Sequence, residues 1–343
     1  MGRHTAPFFM RKFVKNLQDV DRDNINNLHE SAMLEPNLVI VENYCRGASG
    51  EGSRVMGAWG MNRFTIVHIS DIDLTMDDNQ RLATQPLQRV FDDLEDHQVA
   101  ANLIVLSGDL LVGGDQQGYR QLRQYLQQQE RRLQVAIQVM LGDRDDREAF
   151  NRGYLAVAHQ SYYADKQVHQ NMDFYFLDSK WELNKSAGWL DRPQLDWLNK
   201  NLHLAPRRRA FIFLHHPLDA PALRDMRYTL LQNNRELLAI LHGHNIGGIF
   251  TGHLHFDANY VVDSVVPVTV TGSAATYINC QDPYQHDVYT GTTYNVITIQ
   301  RGIASVITHP LALGQTVIQT IPVNRTGFVK HRPRAIAVRR PLP

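Results

Sequence analysis

The sequence predicts an α/β fold, because three β-strand patterns each end in a loop that carries a carboxylate. The runs are apolar and rich in β-branched residues, which is typical of buried strands. Apolar residues at near-helical spacing follow the first two runs. This alternation gathers loops at the carboxyl ends of neighbouring strands, where α/β proteins bind ligands. The three runs are residues 64–70, 103–106 and 135–141, followed by Asp71-Ile72-Asp73, Gly108-Asp109 and Gly142-Asp143-Arg144-Asp145.

The middle of the chain continues the pattern, and the last part changes it. We predict strands at residues 174–177, 211–214 and 246–250, and helices at residues 192–202 and 230–241. Two of these strands end in histidines, in the sequences His215-His216-Pro217 and Thr251-Gly252-His253-Leu254-His255. Beyond them, residues 260–271 and 295–308 each have the pattern of a β-hairpin, the second with a turn at Arg301-Gly302.

The composition narrows the class of protein. An apolar fraction of 43% and a charged fraction of 20% are ordinary for a globular protein. The formal net charge of zero argues against a nucleic acid partner. Two cysteines fit a reducing compartment, and no apolar run of about 18 residues predicts a membrane span. We therefore expect a cytoplasmic protein with no membrane partner.

Composition also divides the chain into three parts. Residues 1–60 have clustered Asn, Asp, Gly and Ser, and we predict an appended, poorly ordered segment there. Residues 61–310 form the predicted main domain, and residues 311–343 a basic tail. No Asp or Glu follows Asp287, so the tail either contacts an anionic partner or is a solvated run of charge.

Seven side chains after these strands are candidate metal ligands. A single loop aspartate is more often a turn former or a helix cap, the interpretation that we give to Asp145. We take these strands as neighbours in one sheet, however, and therefore expect their ends to converge. Mixed carboxylate and imidazole ligands suit Zn, Fe or Mn, and seven are too many for one ion. Two ions sharing a carboxylate would support phosphoester hydrolysis. The candidates are Asp71, Asp73, Asp109, Asp143, His215, His253 and His255.

These motifs, in this order, resemble the calcineurin-like metallophosphoesterase family, and within it the bacterial class III cyclic-nucleotide phosphodiesterases. The resemblance covers residues 64–299 and implies a four-layer α/β/β/α sandwich. It implies that Asp71, Asp109 and His255 hold one metal ion, with Asp109 bridging to the other. His215, His253 and residue 143 would hold the second ion. The implied function is hydrolysis of a small phosphodiester, with 3',5'-cyclic nucleotide as leading substrate, by attack of a metal-bridging hydroxide.

Three residues depart from the family pattern. Asp73 stands where the family has histidine, Asp143 where it has asparagine, and Arg144 where it has the histidine that assists the leaving group. Arg144 cannot act as a general acid at neutral pH, but it can grip phosphate oxygens, or it can pair with Asp143 and do nothing else. His216 is a conceivable replacement acid, although a packing role is favoured. The alternative function is therefore a catalytically weakened or inactive relative that acts as a binding or regulatory module.

Overall fold

The structure, a computed structural model, describes residues 40–43, 63–221, 223, 226, 229–280, 282 and 285–322. Within these ranges no helix is long and apolar enough to cross a membrane. The strands in chain order are β1 (Ile40–Asn43), β2 (Arg63–Ile69), β3 (Thr75–Met76), β4 (Leu82–Ala83), β5 (Leu103–Ser107), β6 (Ala136–Met140), β7 (Asp165–His169), β8 (Met172–Leu177), β9 (Arg209–Leu214), β10 (Ile246–Thr251), β11 (Ala258–Val262), β12 (Val266–Val270), β13 (Thr276–Asn279), β14 (Gln285–Gln300) and β15 (Ile303–Pro322). The α-helices are α1 (Gln85–Asp96), α2 (Gln116–Leu133), α3 (Arg147–Phe150), α4 (Arg192–Leu204) and α5 (Asn234–Leu241).

The strands that precede the candidate ligands are divided between two sheets. The first sheet has the order β1-β15-β14-β2-β5-β6, with β13 paired to β14, and the second has the order β11-β12-β10-β9-β8-β7. The expectation that the ligand-bearing strands share one sheet is therefore wrong. Strands β2, β5 and β6 are parallel to one another, as are β8, β9 and β10. The ligand-bearing ends of both sets meet at one edge of the molecule.

Four layers result from the way these sheets bury their apolar faces. Aromatic side chains from the second sheet, such as Phe176, Phe213 and Phe250, belong to the same core cluster as Phe64 and Val105 of the first sheet. Helices α4 and α5 cover the outer face of the second sheet and add leucines to this cluster. Helices α1 and α2 cover the outer face of the first sheet, where a second cluster forms. The fold is the α/β/β/α sandwich that the resemblance implied.

Local chemistry explains where the elements begin and end. The hairpin turns predicted after the last candidate ligand are present, and both residues of the Arg301-Gly302 turn have positive φ, as a tight hairpin requires. Helix α5 begins at Asn234, four residues later than predicted. The reason is the side chain of Asn233, which bonds to both the backbone N–H and the carbonyl of Leu190 instead of continuing a helix.

The chain segments outside the central domain contribute to the first sheet where the structure describes them. Strand β1 pairs in parallel with β15 at residues 305–308. Strand β15 continues to Pro322, so residues 311–322 of the predicted tail extend the sheet. Residues 1–39, 44–62 and 323–343 lie outside the described residues, and the predicted disorder of the first segment and the role of the basic tail stay predictions.

Candidate metal centre

His215 lies at the centre of the candidate ligands. It follows β9 and is fully buried. Its Nε2 atom lies 3.2 Å from Oδ1 of Asp143, 3.5 Å from Oδ1 of Asp109 and 3.9 Å from Oδ1 of Asp71. His253 reaches the same carboxylates from β10, with Nδ1 3.0 Å from Oδ1 of Asp143. Carboxylates from the first sheet thus meet imidazoles from the second.

His255 completes the group, and each of these imidazoles is oriented by a hydrogen bond on its other nitrogen. Nε2 of His255 lies 3.4 Å from Oδ1 of Asp71, and its Nδ1 lies 2.7 Å from the hydroxyl of Thr276. Nδ1 of His215 lies 2.8 Å from the carbonyl of Ser107, to which it donates. Nε2 of His253 bonds to the hydroxyl of Thr229. Such partners fix the ring and the nitrogen that faces a metal. No sequence pattern pointed to the two threonines.

Five of the seven candidate ligands have a left-handed backbone. A positive φ is uncommon outside glycine and costs about 1–3 kcal/mol, so such residues concentrate at functional sites. Here it turns the chain sharply at a strand end and aims the side chain across the edge of the sheets. The five are Asp71 (φ 51°), Asp73 (47°), Asp109 (51°), His253 (72°) and His255 (55°).

Two glycines allow the strand ends to approach this closely. A Cβ atom on Gly142 would lie 2.1 Å from Oδ1 of Asp109, and one on Gly252 would lie 1.8 Å from the hydroxyl of Ser70. Neither distance is compatible with a side chain. The backbone N–H of His253, next to Gly252, donates to Oδ2 of Asp71 at 2.8 Å. Gly142 therefore permits the close approach of two loops of the first sheet, and Gly252 permits a contact that joins the two sheets.

Electrostatics shows that the cluster is short of positive charge. Burial, reinforced by the neighbouring aspartates, raises the pKa of Asp109 well above its ordinary value. Burial would lower the pKa of His215, but Asp109 and Asp71 outweigh it and raise that pKa to about 10. Burial also opposes ionisation of Asp143, yet the facing imidazoles of His253 and His215 lower its pKa. The raised pKa values of Asp109 and His215 show that the cluster favours an added proton, and a metal cation would supply the same compensation.

The donor set fits metal ions. Oδ1 of Asp71 and Oδ1 of Asp73 are buried and have no hydrogen-bond partner among the described residues. Two groups of side chains have ligand atoms within 4.8 Å of one another. Asp73 and His255 lie outside both groups, although His255 contacts Asp71. Asp73 as a ligand stays a prediction. The groups are Asp71, Asp109, His215 and His253, and Asp143, His215, His216 and His253.

Arg144 pairs with Asp73. Its Nη1 donates to Oδ2 of Asp73 at 2.6 Å, and its backbone N–H donates to Oδ1 of Asp109 at 2.9 Å. The sequence alone leaves open whether Arg144 pairs with Asp143. In the structure its side-chain partner is Asp73, which lies 71 residues away in sequence. The Arg144 side chain is 45% exposed, so the guanidinium lies at the mouth of the cluster with donors still facing outward.

Asp145 supports the site from behind and does not cap a helix. Its buried carboxylate accepts hydrogen bonds from the backbone N–H groups of Leu110, Leu111 and Gly142 and from the hydroxyl of Tyr119. The cap of α3 is the next residue, Asp146, which accepts from Ala149 N–H. The interpretation of Asp145 as a cap is wrong, because the adjacent loop offers it more donors than a helix terminus would.

The family of the chain follows from a sequence match that spans all of the candidate ligands. A sequence profile described as calcineurin-like phosphoesterase matches residues 64–257, more than half of the 343 residues. The chain belongs to this family. The matched region begins in β2 and ends just after His255, so it contains all seven candidate ligands of the phosphoesterase.

Curated relatives of this phosphoesterase are bacterial phosphodiesterases. A 3',5'-cyclic-nucleotide phosphodiesterase of Nostoc sp. is 27% identical over 198 residues, which cover 56% of this chain and 71% of the relative. A cAMP/cGMP dual specificity phosphodiesterase of Mycobacterium tuberculosis is 27% identical over 216 residues, 61% of this chain and 67% of the relative. A probable glycerophosphodiester phosphodiesterase of Arcobacter nitrofigilis is 26% identical over 178 residues, 49% of this chain and 62% of the relative.

Proposed function

We propose that this phosphoesterase is a metal-dependent phosphodiesterase with 3',5'-cyclic nucleotide as its leading substrate. The observation that carries the proposal is the convergence of three carboxylates on Nε2 of His215 at 3.2–3.9 Å, at the edge where both sheets end. The named activities of the Nostoc and Mycobacterium relatives support the substrate. The Arcobacter relative makes a glycerophosphodiester the substrate to test beside it.

The side chains would hold two divalent ions, for which Fe, Mn and Zn are the candidates. Such ions supply a water-derived nucleophile and Lewis-acid stabilisation of phosphoryl charge. Asp71, Asp109 and His255 would hold one ion, with Asp73 beside them. Asp143, His215 and His253 would hold the other, and Asp109, whose Oδ1 lies 3.5 Å from Nε2 of His215, is the proposed shared carboxylate. The hydrogen bond from Arg144 N–H holds Asp109 in this position.

Arg144 is the proposed phosphate-orienting residue. Its guanidinium is held at Nη1 by Asp73 and is otherwise open to solvent at the mouth of the site. A guanidinium can grip two phosphate oxygens at once but cannot protonate a leaving alkoxide. General acid catalysis contributes about 10²–10⁴-fold, so we expect slow hydrolysis of substrates with poor leaving groups. Activated aryl diesters should suffer least, because their leaving groups need no proton.

The experiment compares leaving groups. Purified protein with added Mn²⁺ or Fe²⁺ is assayed on bis-p-nitrophenyl phosphate, cyclic AMP, cyclic GMP and a glycerophosphodiester, with bound metal measured by elemental analysis. We expect hydrolysis of the aryl diester and slower hydrolysis of a cyclic nucleotide. Arg144→Ala should raise KM for both, and Arg144→Lys should recover part of the loss. Protein that holds two ions and hydrolyses none of these diesters would refute the catalytic proposal.

A second candidate function is a binding or regulatory module that keeps the fold without catalysis. The Asp73–Arg144 ion pair favours it, because it replaces two histidines that the family pattern places there. Metal content separates the candidates, with two ions per chain favouring the enzyme and none or one favouring the module. Restoring histidine at 73 and 144 and asparagine at 143 should raise activity sharply if these residues limit it. No gain would mean that the departures do not set the rate.

A further inference from the structure

His216 has a buried nitrogen that the structure leaves without a partner. The residue follows His215 directly and is fully buried. Its Nδ1 lies 2.8 Å from the hydroxyl of Ser179, which also accepts the backbone N–H of His216 at 3.2 Å. The opposite nitrogen, Nε2, has no hydrogen-bond partner among the described residues. Leaving a buried polar atom unpaired is costly, so its position calls for a physical reason.

The free nitrogen points into the metal centre. Nε2 of His216 lies 4.0 Å from Oδ1 of Asp143. The ring centroid lies 4.7 Å from that of His253, tilted by 48°, and 4.9 Å from that of His215, at 89°. Ligand atoms on a tetrahedral ion with bonds of 2.0–2.1 Å are about 3.4 Å apart, so small movements would bring these atoms onto one ion. The rings converge from three directions instead of stacking.

We propose that His216 is a ligand of the second metal ion, which is then held by Asp143, His215, His216 and His253 beside the shared Asp109. The inference rests on the proposed function, because it assumes that this position receives a metal. The tautomer with the proton on Nδ1, donated to Ser179, leaves the Nε2 lone pair free for the ion. A neighbour that supports the other nitrogen in this way is the usual arrangement for a ligating imidazole.

The close approach of the backbone to this ring supports a fixed position. A Cβ atom on Gly188 would lie 2.5 Å from Cγ of His216, so the loop before α4 packs directly against the imidazole. This packing, with the hydrogen bond to Ser179, holds the ring beside Asp143. A general acid would have to reach the leaving group at the mouth of the site, whereas a ligand needs to stay beside Asp143.

The test counts ligating imidazoles in protein loaded with Co²⁺. Each histidine that binds through one nitrogen and keeps a proton on the other gives a hyperfine-shifted proton NMR signal that disappears in D₂O. We expect one such signal for each of His215, His216, His253 and His255. His216→Gln should lose one signal and bind Co²⁺ at least about tenfold more weakly at one site. An unchanged set of shifted signals in His216→Gln overturns the inference.

Two further variants serve as a control and as an alternative test. His203→Gln, an exposed histidine on α4, should keep every shifted signal and serves as the matched control. Ser179→Ala keeps the imidazole, so it remains informative if His216→Gln misfolds. It should move one shifted signal and weaken Co²⁺ binding about tenfold. An unchanged spectrum and affinity in Ser179→Ala, with His216→Gln misfolded, would overturn the inference. Because these readouts need no turnover, a full signal set without hydrolysis refutes only the proposed function.

Discussion

Removing the Asp145 carboxylate should destabilise the whole fold, although Asp145 is not one of the candidate metal ligands. The change to test is Asp145→Ala. It leaves four donors without their acceptor, namely the N–H groups of Leu110, Leu111 and Gly142 and the hydroxyl of Tyr119, at present 2.8–3.1 Å from the nearer Asp145 oxygen. These donors lie on three separate segments, so the carboxylate ties the loops after β5 and β6 to α2.

The magnitude follows from counting those donors. A buried donor without an acceptor costs about 1–3 kcal/mol, and the lower figure applies where water can enter the space left by the carboxylate. Four donors at the lower figure give a loss of roughly 4 kcal/mol in the free energy of unfolding. Tyr119→Phe removes one of these hydrogen bonds and also the one that the Tyr119 hydroxyl accepts from Asp146 N–H, so it should cost roughly 2 kcal/mol. The two losses should not add, because both variants remove the same Tyr119–Asp145 contact.

Urea unfolding followed by circular dichroism in the presence of EDTA measures these changes without a contribution from bound metal. Asp115→Ala is the matched control, because it removes an exposed aspartate that caps α2 through Gly118 N–H. The control should lose only about 1 kcal/mol. If Asp145→Ala costs no more than the control, the buried carboxylate is not what joins these loops, and the reasoning is refuted.

Three other perturbations test the electrostatics and packing around the site. Gly252→Ala should weaken Co²⁺ binding by about tenfold or more, because the new Cβ atom would lie 1.8 Å from the Ser70 hydroxyl. An unchanged affinity for Co²⁺ would contradict this packing argument. A double-mutant cycle of Asp73→Ala and Arg144→Ala should give a coupling of about 1 kcal/mol or less in unfolding free energy, since the Arg144 side chain is 45% exposed. Burial lowers the pKa of His68 from 6.5 to about 3. Between these pH values the unfolded state binds a proton that the folded state does not, so the free energy of unfolding falls as the pH drops from 6.5 toward 3. His68→Phe should make that fall shallower by up to about 1.4 kcal/mol per pH unit, and an unchanged slope in urea unfolding would show that another group controls it.

The strands that precede the candidate ligands and the two hairpins that follow them could be predicted because each depends on a local pattern. Residues 64–70 are mainly apolar or β-branched, which is typical of a strand buried on both faces, and β2 occupies nearly that range. The Arg301-Gly302 turn was predictable from its dipeptide alone. The start of α5 was not, since it depends on hydrogen bonds between Asn233 and Leu190, which are 43 residues apart.

The site could be predicted as a set of residue types but not as a geometry. Carboxylates and histidines at strand ends indicated a metal centre, yet no sequence pattern says that two sheets bring them together. The partner of Arg144 is set by the backbone turn at Asp73, where a positive φ aims the carboxylate back toward the arginine. The free nitrogen of His216 is likewise visible only once the position of Ser179 is known.

The ion pair changes how the charge of the site should be counted. Arg144 and Asp73 neutralise each other at 2.6 Å, so the proposed ions face three carboxylates, those of Asp71, Asp109 and Asp143. The family pattern has asparagine at position 143 and therefore one carboxylate fewer around the ions. The additional carboxylate binds cations more tightly but makes them poorer Lewis acids toward phosphate. The departures at 73 and 144 thus cancel in charge, and the exchange at 143 is the one that should trade turnover for metal affinity.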